Sequence, residues 1–99
     1  MTSHMSRLEW LQDAEADLDI LTDYIAQDNI MAAIIMRDEI ENQIQRLIDF
    51  PLSGRTGRVE GTREMVVART PFVVIYRMTV DIVIVRILHG AQHWPPLLG

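Results

Sequence analysis

The segment Arg7-Leu8-Glu9-Trp10-Leu11 alternates loosely between polar and apolar positions, a period of two that predicts a short first strand. The spacing then changes. Ala14, Leu18, Leu21 and Ile25 recur at helical intervals with Tyr24 alongside, while Glu15, Asp17, Asp19 and Asp23 fill the other face. This predicts an amphipathic helix over 13–27, with its acids read as a solvated face. Asp13 is the expected N-cap, because its carboxylate can accept a free backbone N–H of the first turn. Asp28-Asn29 interrupts the pattern, and Asn29 is placed to cap a second helix.

That second helix starts apolar all round, from Ile30 to Met36. It continues with Met36, Ile40, Ile44, Leu47 and Ile48 as one stripe, opposite Arg37, Asp38, Glu41, Asn42, Gln45 and Arg46. Pro51 disfavours helical geometry in the residue before it, so the helix should end near Asp49 or Phe50. Its apolar start must be covered on several sides, by the sheet or by a partner.

A loop over 51–62 follows, carrying Pro51, Gly54, Gly57 and Gly61. Strands are expected over Arg63 to Arg69, Phe72 to Met78 and Ile82 to His89, separated by turns at Thr70-Pro71 and Thr79-Val80-Asp81. Continuous Val and Ile runs indicate strands covered on both faces over part of their length. The order is β-α-α-β-β-β. The fold class is therefore α+β: an N-terminal strand and a helix hairpin packed on a small, mainly antiparallel sheet.

Composition narrows the reading. A chain of 99 residues with 48% hydrophobic and 23% charged residues is one globular domain. We take that domain as 5–99, with Met1-Thr2-Ser3-His4 ahead of Met5 reading as a cloning scar. The absence of Cys removes disulfides, thiolate zinc sites and Cys nucleophiles. The longest apolar run is far shorter than the roughly 20 residues of a membrane span. No membrane association, metal site or cofactor is expected.

Charge is divided unevenly. Residues 1–50 hold three Arg against eleven acids, a balance of −8, while residues 51–99 hold six Arg against three acids, a balance of +3. Every basic residue is Arg, which binds carboxylates and phosphates bidentately. The basic half suits an anionic partner, yet the overall charge of −5 argues against a non-specific nucleic-acid binder.

Two readings of the Gly- and Arg-rich loop stay open at this level. Arg55, Arg58 and Arg63 either pair with the chain's own acids or contact an anion or partner. His89 and His93 straddle a strand end and Gly90, a poor arrangement for a metal. Trp94 reads as an edge-covering core residue before a stacking platform. Tyr76 and Arg77 must point to opposite faces, one core-facing and one exposed. A metal-free nuclease would need a basic cluster and a base on one sheet face. Arg63, Arg77, Arg86 and His89 could supply it only if they share that face.

Order and spacing of several pieces together resemble the RelE/ParE superfamily of type II toxin–antitoxin toxins. The pieces are Asp23-Tyr24-Ile25-Ala26, Leu47-Ile48-Asp49-Phe50-Pro51 with Ser53-Gly54-Arg55, and Gly61-Thr62-Arg63-Glu64-Met65-Val66-Val67. They continue with Pro71-Phe72-Val73-Val74-Ile75-Tyr76-Arg77 and Ile87-Leu88-His89-Gly90-Ala91-Gln92-His93-Trp94. The resemblance runs from about Leu8 to Pro95 and is closest to ParE-like members. It implies the same β-α-α-β-β-β order and a toxin of a plasmid-stabilisation or addiction module. RelE-like members are ribosome-dependent mRNA endoribonucleases; ParE-like members poison DNA gyrase. The nuclease branch carries basic residues where this chain has Glu64, Val66 and Val73, so the resemblance favours a gyrase poison without catalytic residues of its own. The alternatives are an mRNA endoribonuclease using Arg63, Arg77, Arg86 and His89, and a non-toxic homologue that only binds antitoxin. The resemblance also implies a cytoplasmic hetero-oligomer with a cognate ParD- or RelB-like antitoxin. Acidic antitoxin residues are expected to meet Arg55, Arg58, Arg63 or Arg69. His89, His93 and Trp94 are the candidates for contact with the cellular target.

Overall fold

The computed structural model describes residues 7–90 together with Gln92, Trp94 and Pro95. Met1-Thr2-Ser3-His4, read above as a cloning scar, and His93 lie outside the described residues. Strand β1 (Leu8–Trp10) leads directly into helix α1 (Gln12–Asp28), and Asn29 separates it from helix α2 (Ile30–Gln45). A 3-10 turn over Arg46–Ile48 ends the hairpin, and β2 (Arg55–Thr56), β3 (Arg63–Val66), β4 (Phe72–Met78) and β5 (Ile82–His89) follow.

The strands form one sheet in the order β1-β5-β4-β3-β2. All neighbours are antiparallel except β1 and β5, which run parallel. This is the expected α+β architecture with one addition. Arg55 and Thr56, expected in a loop, pair with Glu64 and Arg63 as a two-residue edge strand.

Local differences have local causes. The backbone stays in the sheet through Leu11, whose N–H donates to the Ile84 carbonyl at 3.0 Å. The helix therefore starts at Gln12, with Leu11 in the cap position and no side-chain cap. Asp13 is not the cap; it lies inside the first turn, where a carboxylate still opposes the positive end of the helix dipole. Asn29 does cap α2, its side chain accepting the Ala32 N–H at 2.9 Å. The third strand stops at Val66 rather than Arg69. Arg69 takes φ +66°, a left-handed conformation that turns the chain and is uncommon outside Gly.

Both helices pack on one sheet face. Ala14 and Leu18 of α1 and Ile40 and Ile44 of α2 join Leu47, Val67, Val74, Tyr76, Ile82, Ile84 and Ile87 in the main core. Burial of side chains this size contributes on the order of 1.5–3 kcal/mol each relative to exposure. Val73, Ile75 and Leu88 form a second cluster, against which Val85 and Trp94 pack. Strict alternation places Val73 and Ile75 on the face away from the helices. The Val and Ile runs are thus covered on both faces, and Trp94 is a covering residue.

A register shift between Ile75 and Tyr76 adjusts β5 to this arrangement. Ile75 pairs with Arg86 but Tyr76 pairs with Ile84, leaving Val85 as an extra residue. Ile84 and Ile87 are three apart yet both reach the helix-side core, because the bulge resets the alternation.

The apolar start of α2 is not covered by the sheet. Ala33 is buried, while Ile30, Met31, Ile34 and Ile35 remain 50–68% exposed. Among the described residues no helix is long and apolar enough to cross a membrane.

Candidate functional site

Tyr76 fixes the loop that leaves the hairpin. Its ring is fully buried in β4, and its hydroxyl donates to the Pro51 carbonyl at 2.7 Å and accepts the Gly54 N–H at 2.9 Å. The contact requires glycine at position 54, where a Cβ would lie 2.7 Å from the Tyr76 ring and 2.8 Å from the Glu64 carbonyl oxygen. Arg63 closes the same corner, its Nε donating to the Gly54 carbonyl at 2.9 Å. Tyr76→Phe keeps the ring and orphans a buried N–H and a carbonyl. We expect a loss of about 2 kcal/mol, measured by urea denaturation, with the secondary structure unchanged.

Glu64 organises the next stretch. It sits opposite Ile75 and therefore on the sheet face away from the helices. Its side chain is only 1% exposed. Arg58 reaches it with the backbone N–H at 2.8 Å, Nε at 3.1 Å and Nη2 at 3.1 Å, and Arg55 Nη2 adds a longer contact at 3.5 Å. Burial pushes the carboxyl pKa up, but the Arg58 hydrogen bonds and charge outweigh it and hold the group below the usual carboxylate range. Arg58 is correspondingly raised, chiefly by its hydrogen bond to Glu64.

A second carboxylate joins the layers. Asp17 of α1 accepts Arg86 Nε at 2.6 Å, Arg86 Nη2 at 2.9 Å and the Ile87 N–H at 2.9 Å. The hydrogen bond to Asp17 raises the Arg86 pKa. Asp17 is half-buried, so it does not belong to the solvated face assigned to the α1 acids. Its signal was present in the sequence: it lies three residues after Ala14 and four before Leu21, on the core-facing stripe.

The conditional nuclease set does not converge. Arg63 is spent on the Gly54 carbonyl and Arg86 on Asp17. Arg77 is exposed and lies on the face of Ile75, opposite to that of Tyr76. His89 pairs with Phe72 at the far end of β4 and meets its ring edge-on at 6.1 Å. Arg63 pairs with Tyr76, four residues further along β4, a separation of roughly 13 Å along the strand.

The four loop and turn arginines occupy three places. Arg55 and Arg58 surround Glu64, Arg63 holds Gly54, and Arg69 pairs with Glu39 of α2 at 2.8 Å. Own-chain acids thus engage three of them, in β3 and in α2. The side chains of Arg55 and Arg69 nevertheless stay 71% and 77% exposed. Arg69 also lines a trough with Ile35, Met36, Glu39, Ala68 and Thr70, beside the exposed apolar ridge of α2. On the other side of that ridge, Ile30, Ala33 and Ile34 line a groove with Thr22, Asp23, Ala26 and Arg37. These flanking depressions depend on how α2 meets α1 and the β3–β4 turn, which a run of apolar residues does not encode.

The molecule is a small mixed sheet with a helix hairpin on one face and an exposed apolar ridge on α2. A family profile described as the ParE toxin of the type II toxin–antitoxin system parDE matches residues 8–94. The Sinorhizobium fredii protein Y4kP, named as a toxin, is 36% identical over 92 residues, 93% of this chain and 96% of its own length. Toxin RelE2 of Caulobacter vibrioides is 35% identical over 89 residues, 89% of this chain and 99% of its own. A solved structure of the chromosomal ParDE toxin–antitoxin system from P. aeruginosa superposes with a TM-score of 0.79 at 32% identity, covering 88% of this chain and 98% of that one. The chain belongs to the ParE toxin family of type II toxin–antitoxin systems, and that membership implies an antitoxin partner.

Proposed function

We propose that this toxin poisons DNA gyrase in the cytoplasm, serves in plasmid stabilisation or addiction, and is neutralised by direct binding of its antitoxin. The observation that carries the reading is the dispersal of Arg63, Arg77, Arg86 and His89. A phosphoryl-transfer site works by aiming several charges at one developing phosphorane. Here two of those arginines are committed to internal acceptors, and His89 stands far along the sheet from Arg63. A toxin that acts through surface recognition needs no such cluster.

For neutralisation we propose that the antitoxin covers the ridge of Ile30, Met31, Ile34 and Ile35 in a hetero-oligomer. Disordered segments commonly fold onto such grooves. Acidic antitoxin residues then meet the exposed guanidinium of Arg69 beside the ridge and the outer edge of Arg55. Arg58 and Arg63 have less to offer, because Glu64 and Gly54 already hold them. His89, exposed at the end of β5, and Trp94, packed against the cluster on the helix-free face, remain our candidates for target contact, with His93.

The test is pulse labelling after induction without antitoxin. Thymidine incorporation is expected to fall before methionine incorporation, with a rise in the DNA-damage response. Collapse of methionine incorporation first would favour the ribosome-dependent endoribonuclease. Unchanged growth would favour a homologue that only binds antitoxin.

A further inference from the structure

We propose that the Glu64 carboxylate occupies an oxyanion site built by Arg55 and Arg58, and so keeps nucleic-acid phosphates off the helix-free face of the sheet. The donors around it are those a phosphate would receive: a backbone N–H, a guanidinium fork from the same residue and a second guanidinium. They converge on one point, and that point is filled from within the chain. The filler is almost fully buried, so Arg55 and Arg58 close over it.

The surroundings favour an anion. Arg77 lies two residues along β4 from Ile75, the cross-strand partner of Glu64, and is exposed on the same face. Without Glu64 these elements would present Arg55, Arg58 and Arg77 with only the exposed Glu60 of the same loop near them. One internal carboxylate cancels the inner charge and occupies the site where a phosphate oxygen would bind. Glu64 thereby acts as a specificity-determining residue: it leaves a chain with a basic half unable to use that half for backbone binding. Exclusion of phosphates by Glu64 does not depend on gyrase being the target.

The experiment measures fluorescence anisotropy of a labelled short single-stranded RNA with the wild-type chain, Glu64→Ala and Glu64→Gln. Glu64→Ala removes both charge and bulk; Glu64→Gln removes the charge alone and serves where the first variant folds poorly. Glu60→Ala, an exposed acid of the same loop, controls for net charge. Affinity for RNA is expected to rise about tenfold at low salt over both wild type and Glu60→Ala. The slope of log affinity against log salt should steepen by about 1.4, the value for two unmasked single-strand phosphate contacts. The gain should vanish in the triple variant Arg55→Ala, Arg58→Ala, Glu64→Ala. Three results overturn the proposal: a gain no larger than that of Glu60→Ala, a gain that survives in the triple variant, or loss of cooperative melting in both Glu64 variants. The last would make the carboxylate a requirement of the fold instead.

Discussion

Asp17→Ala is expected to destabilise the domain by about 3 kcal/mol, a drop in Tm of about 15 °C for a chain of this size. Asp23→Ala, on the same helix, should change stability by no more than about 0.5 kcal/mol. The contrast follows from what each carboxylate touches. Strand β1 ends opposite Ile84, so the edge of β5 beyond that residue has no strand partner. Asp17 takes its place, accepting the Ile87 N–H while holding Arg86 bidentately. Its side chain is 13% exposed and that of Arg86 26%. Removing Asp17 leaves a half-buried guanidinium and an edge N–H without acceptors, and leaving such groups unpaired costs far more than a surface ion pair contributes. Asp17→Asn retains an acceptor and should fall between the two. Urea denaturation of the three variants settles the order, and equal midpoints for Asp17→Ala and Asp23→Ala would refute the argument.

At Asp17 periodicity and residue type disagree: the spacing puts it on the core-facing stripe of α1, while its charge suggests solvent. The hairpin, the three long strands and the two-sided cover of β4 and β5 were legible, because each rests on alternation or helical spacing over many residues. The Asn29 cap was legible for the same local reason. Strand β2 was not: two residues carry no periodicity, and their partners Glu64 and Arg63 lie across a loop. The extent of β3 was overestimated because apolar character continues through Val67, while the chain turns at Arg69 on a backbone conformation that residue type does not announce. The nuclease set illustrates a further limit. Whether Arg63, Arg77, Arg86 and His89 share a face depends on strand register and on the bulge at Val85, neither of which single-strand alternation encodes. Arginines are especially hard to place this way, since their reach lets them bind an internal carboxylate or carbonyl several residues distant. Asp17 sits where helical spacing implies burial, and a buried carboxylate requires a partner; Glu64 carries no such signal, because alternation with Met65 and Val67 puts it on the face away from the main core.

The double substitution Ile34→Gln, Ile35→Gln is expected to weaken antitoxin binding by about 100-fold, read by calorimetric titration with the purified antitoxin. Gln has nearly the helix propensity of Ile or better, so α2 should persist. Both side chains already face solvent, Ile34 at 50% and Ile35 at 63% exposure, so the isolated toxin loses little packing. The cost appears only when a partner closes over the ridge. Two aliphatic side chains, each burying its exposed part, then contribute together about 2–3 kcal/mol that Gln cannot supply. Ile34 faces the groove shared with α1, and Ile35 the trough beside Arg69. The single variants therefore report which flank the antitoxin uses. Equal losses mean that it straddles the ridge; a loss confined to Ile35→Gln places it against the β3–β4 turn, where Arg69→Ala should add to the effect. Unchanged affinity in the double variant would exclude the ridge as the antitoxin platform. In that case loss of growth inhibition by the same variant would assign the exposed face of α2 to the cellular target.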